Sequence, residues 1–207
     1  MRLRPSRAPR ISDKVGAIQI AMRRFVFAFA AVLTLAACGA SGRVGARPDP
    51  ELDALFVQLE QAPDAASAAP IEMAIRERWA DSGSPTVNIL LERADAAERE
   101  GDVELAARFL DQASDLAPDY AEPWKRRANL AYSAEDYAGA IAAIQETLKR
   151  EPRHFEAMTG LGLVYEELGQ QRAALEAFRA ALVIHPHYEP ALQGVRRLEP
   201  RVDGRDA

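Results

Sequence analysis

Residues 155–188 read FEAMTGLGLVYEELGQQRAALEAFRAALVIHPHY, and their pattern recurs in the chain around them. Apolar residues are three and four apart in two runs, which is the spacing of one face of an α-helix. Gly169 separates the runs and Pro186 follows the second, since both residue types favour turns and helix ends. The stretch therefore predicts two short amphipathic helices packed as a hairpin. The residues that carry the pattern are Met158, Leu161, Gly162, Tyr165, Ala174, Phe178, Ala181 and Pro186.

Two further copies of this pattern lie directly upstream, at residues 87–120 and 121–154. Each copy closes on a proline, and these prolines are 34 residues apart. Each also has a small residue in both helices, which lets the two backbones approach closely, and a bulky residue in the second helix. In chain order, the prolines are Pro118, Pro152 and Pro186, the first-helix small residues Ala94, Ala128 and Gly162, the second-helix small residues Ala106, Ala140 and Ala174, and the bulky residues Leu110, Ile144 and Phe178. The spacing indicates an internal repeat.

This 34-residue pattern resembles the tetratricopeptide repeat (TPR) family. The resemblance implies an all-α fold, in which helix-turn-helix hairpins stack into an α-solenoid with a right-handed superhelix. It also implies a non-catalytic protein that binds a peptide or helix of a partner in a concave groove lined by the first helices. Trp79 and Trp124 are expected to be packing residues.

The segments that flank the three repeats are amphipathic but lack the motif residues. Residues 51–85 are expected to form a degenerate helical hairpin that caps the N-terminal end of the stack, because solenoids need atypical end units. Residues 189–199 are expected to form a C-terminal capping helix, and residues 200–207 a tail.

Residues 22–38 have the features of a secretory signal peptide. Two arginines precede a thirteen-residue stretch, 25–37, that is apolar except for Thr34 and is too short to span a bilayer comfortably. The signal ends at Leu35-Ala36-Ala37-Cys38, which resembles the bacterial lipobox and implies that Cys38, the only cysteine, is lipidated. Residues 39–50 are expected to be a flexible tether. Translation is expected to start at Met22, so that residues 1–21 are a mis-annotated extension.

The lipobox resemblance implies a protein anchored in the cell envelope and facing the periplasm. Gly39 after the cysteine resembles the signal that sorts lipoproteins to the outer membrane. A soluble periplasmic protein is the alternative if Cys38 is not lipidated. The expected partners are other envelope proteins or their peptides, and the lipid anchor is the only expected contact with the membrane.

Composition excludes several other classes of partner and site. The residues after Cys38 include 30 acidic and 19 basic ones, a net charge of −11, which argues against nucleic acid. A single cysteine excludes an internal disulfide framework, and one cysteine with three histidines argues against a structural zinc site. No cofactor or metal ion is expected. The alternative function is that of a structural envelope protein that self-associates into a homo-oligomer without a peptide ligand.

In the TPR family, defined positions of each first helix face the groove. The resemblance implies that nine such residues contact the ligand here: Asn88, Asp95, Arg99, Lys125, Asn129, Tyr132, Thr159, Leu163 and Glu166. Lys125 and Asn129 lie one turn apart and could hold a carboxylate or a peptide backbone. They resemble half of a carboxylate clamp, but Gly160 stands where the other half needs asparagine. An ordinary solvated polar face is the alternative interpretation.

Two other sets of polar residues have structural interpretations. Arg93 and Arg127 occupy the same position in two repeats, so they are expected to pair with acids of neighbouring helices, since a buried charge needs a partner. The candidate acids are Asp95, Asp111 and Glu135. The three histidines, at positions 154, 185 and 187, fall in turns between repeats and are expected on the surface rather than as metal ligands.

Overall fold

The computed structural model describes residues 49–202 and residue 204, and in this part of the chain the secondary structure is helical with no strand. The predicted N-terminal extension, the signal peptide with Cys38 and nearly all of the tether lie outside the described residues. Among those described, no helix is long and apolar enough to cross a membrane. The helices, numbered here in chain order, are α1 (Pro50–Glu60), α2 (Ala65–Ala80), α3 (Pro85–Arg99), α4 (Val103–Leu116), α5 (Glu122–Ser133), α6 (Tyr137–Arg150), α7 (Phe155–Glu167), α8 (Gln171–Ile184) and α9 (Glu189–Val202).

The three predicted repeats form three helical hairpins, α3–α4, α5–α6 and α7–α8, which confirms the all-α fold. Several helices begin at an aspartate whose carboxylate accepts hydrogen bonds from the free N–H groups of the first turn. Asp102 accepts from Leu105 N at 2.9 Å, and Asp136 accepts from Gly139 N at 3.0 Å. These caps start the second helix in the first and second repeats.

The turn inside each hairpin contains one residue in the left-handed backbone conformation. Gly101 (φ 80°) and Gly169 (φ 69°) hold this position in the first and third repeats, and Glu135 (φ 58°) holds it in the second. Glycine adopts this conformation without strain because it lacks a Cβ, whereas glutamate does not. The second repeat therefore forms the same turn at a cost in conformational energy.

The small motif residues lie where helices cross closely. Ala106, Ala140 and Ala174 are fully buried. The tightest crossing surrounds Phe178, because a Cβ added to Gly162 would lie 2.6 Å from its ring and a Cβ added to Gly194 would lie 2.5 Å from it. The α8 ring is therefore held between the backbones of α7 and α9, which explains how α9 covers the last repeat. Helix α9 ends at Val202, so it continues into the predicted tail.

The N-terminal hairpin, α1–α2, forms as predicted but does not lie where the sequence analysis places it. Its contacts go to the turns between repeats instead of to the N-terminal end of the stack. The Trp79 ring stacks on His154 at 4.0 Å, and Arg76 Nε lies 2.5 Å from Glu156. Asp53 accepts a hydrogen bond from Arg153 at 2.7 Å. The hairpin thus runs along the second and third repeats, and the prediction of an end cap is wrong in its placement.

Candidate binding groove

A pocket of about 350 Å³ lies among α5, α7 and the beginning of α9. Because α5 and α7 are the first helices of their repeats, the pocket is on the face where the TPR resemblance places the ligand. Five of the nine predicted groove residues line it: Lys125, Asn129, Tyr132, Thr159 and Leu163. The other lining residues are Ala128, Ile144, Glu156, Ala157, Gly160, Val164, Tyr188 and Pro190.

The remaining four predicted groove residues lie outside this pocket and contact other parts of the protein. Asn88 Oδ1 accepts hydrogen bonds from Ser82 Oγ at 2.6 Å and from Ser82 N at 3.2 Å. Asn88 therefore holds the segment that joins α2 to α3. The other three also have intramolecular partners: Asp95 pairs with Arg126, Arg99 Nε donates to the Asp95 carbonyl at 3.1 Å, and Glu166 accepts from Arg197 Nε at 2.8 Å.

The ammonium group of Lys125 is already paired within the protein. Its Nζ lies 3.4 Å from Glu122 Oε1 and 3.3 Å from Glu156 Oε2. Burial lowers the pKa of Lys125, but the two carboxylates outweigh that effect and raise it, so the group stays charged. The positive charge of Lys125 is therefore already compensated by two carboxylates, which corrects the expectation that it offers a free positive charge to a ligand carboxylate.

Glu122 is the buried centre of this charge cluster. It accepts a hydrogen bond from Arg126 Nε at 3.2 Å, and its Oε2 lies 3.9 Å from His154 Nε2. Burial alone would raise its pKa, but His154, Lys125 and Arg126 lower it to about 2. The cluster thus keeps a carboxylate ionised below the surface of α5, because the surrounding cations compensate its loss of hydration.

The rest of the pocket offers an apolar surface with few polar groups. Leu163 is 39% exposed, although it is a large aliphatic residue on a well-packed helix. Tyr132 packs edge-on against Tyr137 with ring centroids 6.0 Å apart. Asn129 is exposed, whereas the buried Thr159 hydroxyl donates to the Phe155 carbonyl at 2.9 Å. Such a surface suits apolar side chains of a ligand, with one amide available to its backbone.

The histidines of the inter-repeat turns are buried, so the expectation of surface histidines is wrong for two of them. His154 is 0% exposed and His185 is 1% exposed, because α1 and α2 cover these turns. The sequence signal that could have indicated this burial is a row of aromatic residues at 34-residue spacing: Tyr120, His154 and Tyr188. Tyr120 Oη donates to the Trp79 carbonyl at 2.8 Å, and Trp79 stacks on His154. No cluster of three or more metal-ligating side chains occurs in the part of the chain that the structure describes.

The two equivalent arginines are placed differently. Arg127 pairs with Asp111 of α4, which confirms one of the predicted partners. Arg93 is exposed, and its guanidinium lies 5.9 Å from the centroid of the Phe109 ring. Trp124 contributes a packing surface, with the Arg150 guanidinium 4.6 Å from its ring centroid. These arginines therefore act in packing between helices.

Comparison with known proteins agrees with this architecture. Residues 125–189 match the tetratricopeptide repeat family model. A TPR repeat-containing protein of Rhizobium etli is 38% identical over 157 residues, which are 76% of this chain and 77% of the relative.

Among solved structures, the Arabidopsis OM64 TPR domain is 22% identical and superposes with a TM-score of 0.53, covering 56% of this chain and 96% of that domain. The first TPR domain of Spaghetti (RPAP3) bound to the HSP90 peptide SRMEEVD is 16% identical with a TM-score of 0.54, covering 59% of this chain and 96% of that one. At these identities the structural likeness shows the fold alone. The repeat spacing, the three hairpins and the Rhizobium relative together show that the chain belongs to the tetratricopeptide repeat family.

Proposed function

We propose that this protein is a non-catalytic adaptor that binds an amphipathic segment of another protein in the pocket among α5, α7 and α9. The observation that carries the proposal is the pocket of about 350 Å³, with an exposed aliphatic residue, on the face formed by first helices. TPR domains generally mediate protein–protein interaction. The first TPR domain of Spaghetti (RPAP3), which is bound to an HSP90 peptide in its solved structure, is an example within the same fold.

The chemistry of the pocket favours a particular kind of ligand. The charge of Lys125 is compensated by two glutamates, and Gly160 and Pro190 supply no charged or amide side chain. A terminal carboxylate would therefore gain little here. Apolar side chains of the ligand would instead pack against Leu163 and Tyr132, because burial of apolar surface supplies the affinity of such grooves.

We further propose that the protein works in the bacterial cell envelope, anchored by a lipid on Cys38 and facing the periplasm. The lipobox-like sequence and the tether-like composition of residues 39–50 support this location. Its partners would then be other envelope proteins. Metabolic labelling with palmitate tests the anchor: the label is expected on the wild type and absent from Cys38→Ala. Labelling that persists in that variant would refute lipidation at this cysteine.

The binding site is tested by in-cell crosslinking and pull-down from detergent-solubilised envelopes. Leu163→Asp places a charge in the pocket, and Val183→Asp makes the same change at a residue of α8 that is 74% exposed and outside the pocket. Both surface changes should leave the fold intact, which circular dichroism would verify. Defined partners are expected with the wild type and Val183→Asp, and they should be lost with Leu163→Asp. Equal recovery from both variants would contradict the proposed site. Recovery of this protein alone would favour self-association.

A further inference from the structure

All three histidines of the chain lie in turns that the α1–α2 hairpin contacts. His154 stacks on Trp79, His185 faces Glu72, and His187 hydrogen-bonds to the carbonyl of Ala62. Histidine changes charge near neutral pH, so these contacts are the part of the docked hairpin that can respond to mild acid. Carboxylate and guanidinium groups keep their usual charge in that range.

The environment of His185 opposes a positive charge on its ring. It is 1% exposed and lies edge-on to the Phe155 ring with centroids 5.0 Å apart. Its Nε2 is 2.9 Å from Glu72 Oε2, so a neutral imidazole with its hydrogen on Nε2 donates to that carboxylate. Nδ1 is buried and has no hydrogen-bond partner among the described residues. A second proton would therefore sit on Nδ1, where no acceptor is available.

The charged and titratable groups around His185 act in opposite directions. Glu72 on α2 favours the imidazolium, whereas Arg76 on α2 and His187 in the same turn disfavour it. Tyr188 packs beside the ring with centroids 5.3 Å apart. Burial is the largest effect, and it lowers the pKa of His185 below the ordinary value of 6.5 in spite of Glu72.

A lowered pKa in the docked state fixes the sign of the pH effect. The imidazole binds a proton more tightly when the hairpin is away and the ring is in water. The docked state is therefore fully favoured above pH 6.5, and it loses stability as the pH falls from 6.5 through the lowered pKa.

We propose that the α1–α2 hairpin is a pH-sensitive strap, which leaves the inter-repeat turns when His185 takes up a proton. The strap also touches the binding pocket, because Arg76 contacts Glu156 and Tyr188, and both of these residues line the pocket. Release would remove the guanidinium from Glu156 and uncover that end of the pocket.

The other two histidines differ from His185 in their partners. His187 Nε2 lies 2.9 Å from the Ala62 carbonyl and donates to it. His154 Nδ1 accepts a hydrogen bond from Ala157 N at 3.4 Å, and its Nε2 lies 3.9 Å from the Glu122 carboxylate. They serve as controls for His185, because each lies in a turn beneath the same hairpin.

Hydrogen exchange of the full chain tests the proposal. Exchange of α1–α2 amides would be measured between about pH 7.5 and about pH 5.5, corrected for intrinsic rates and compared with α7–α8. The opening constant of α1–α2 should rise on acidification, by at most about tenfold per pH unit for one proton, while α7–α8 stays protected. His185→Gln should abolish the rise, and His154→Gln and His187→Gln should retain it. A rise that persists in His185→Gln, or no rise in the wild type, would overturn the proposal.

A second variant keeps the test decisive if His185→Gln fails to dock at neutral pH. Glu72→Gln retains a hydrogen-bond acceptor for Nε2 and removes the charge that favours the imidazolium. On acidification, the opening constant of α1–α2 should therefore rise by a larger factor in Glu72→Gln than in the wild type. An equal or smaller factor would refute the role of His185.

Discussion

Replacing Gly162 with alanine is expected to destabilise the protein by about 1–2 kcal/mol, although alanine is the better helix former. An added Cβ would lie 2.6, 2.7 and 2.8 Å from three ring carbons of Phe178, closer than real Cβ contacts permit. The ring cannot move away, because the backbone at Gly194 closes its other side, where an added Cβ would lie 2.5 Å from the ring. Overpacking of this kind costs roughly 1–3 kcal/mol, and the gain in helix propensity returns at most about 1 kcal/mol.

Gly160 provides the matched control on the same helix. A Cβ there would meet only the Ile144 Cδ1 atom, at 3.9 Å, which is an ordinary contact. Gly160→Ala should therefore stabilise the protein by up to about 1 kcal/mol. Urea unfolding followed by far-UV circular dichroism measures both free energies. Phe178→Leu combined with Gly162→Ala should recover part of the loss relative to the sum of the single changes. If Gly162→Ala were as stabilising as Gly160→Ala, the argument from close helix packing would be refuted.

Two further predictions concern a turn and the buried charge cluster. Glu135→Gly should stabilise the second repeat by about 0.5–1 kcal/mol, because the left-handed conformation strains glutamate. Gly169→Ala should destabilise the third repeat by a similar amount for the same reason. The midpoints of urea unfolding would show both effects, and midpoints that shift in the same direction in the two variants would contradict the explanation. Glu122, with a pKa lowered from 4.5 to about 2, should contribute on the order of 3 kcal/mol of stability that is present above pH 4.5 and lost as the pH falls through 2. As the pH is lowered across that range, the free energy of unfolding should fall less steeply for Glu122→Gln than for the wild type. The same slope in both proteins would contradict the stabilising role of the ionised Glu122 in the charge cluster.

The repeats could be predicted from sequence because their determinants are local. Spacing of apolar and small residues within 34 positions sets each hairpin, and the same spacing sets the next one. The TPR resemblance predicted nine groove residues, and five of them line one pocket. That these residues bind a ligand stays a prediction.

The placement of the N-terminal hairpin could not be predicted in this way. Its contacts join residues far apart in the chain, such as Arg76 with Glu156 and Asp53 with Arg153, and no local pattern encodes such pairs. The pairing of Lys125 with Glu156 is likewise a contact between repeats. The sequence therefore indicated a free cation at position 125, whereas the structure pairs its charge with a carboxylate. The burial of His154 and His185 follows from the same hairpin.

The most direct test of the central claim is site-specific photo-crosslinking in living cells. A photoreactive phenylalanine analogue would replace Leu163 in the pocket or Val183 outside it, and both sites are exposed. Adducts with another protein that form at position 163 and not at position 183 are the result we predict. Adducts that form only at position 183, or equally at both, would show that this pocket is not the binding site.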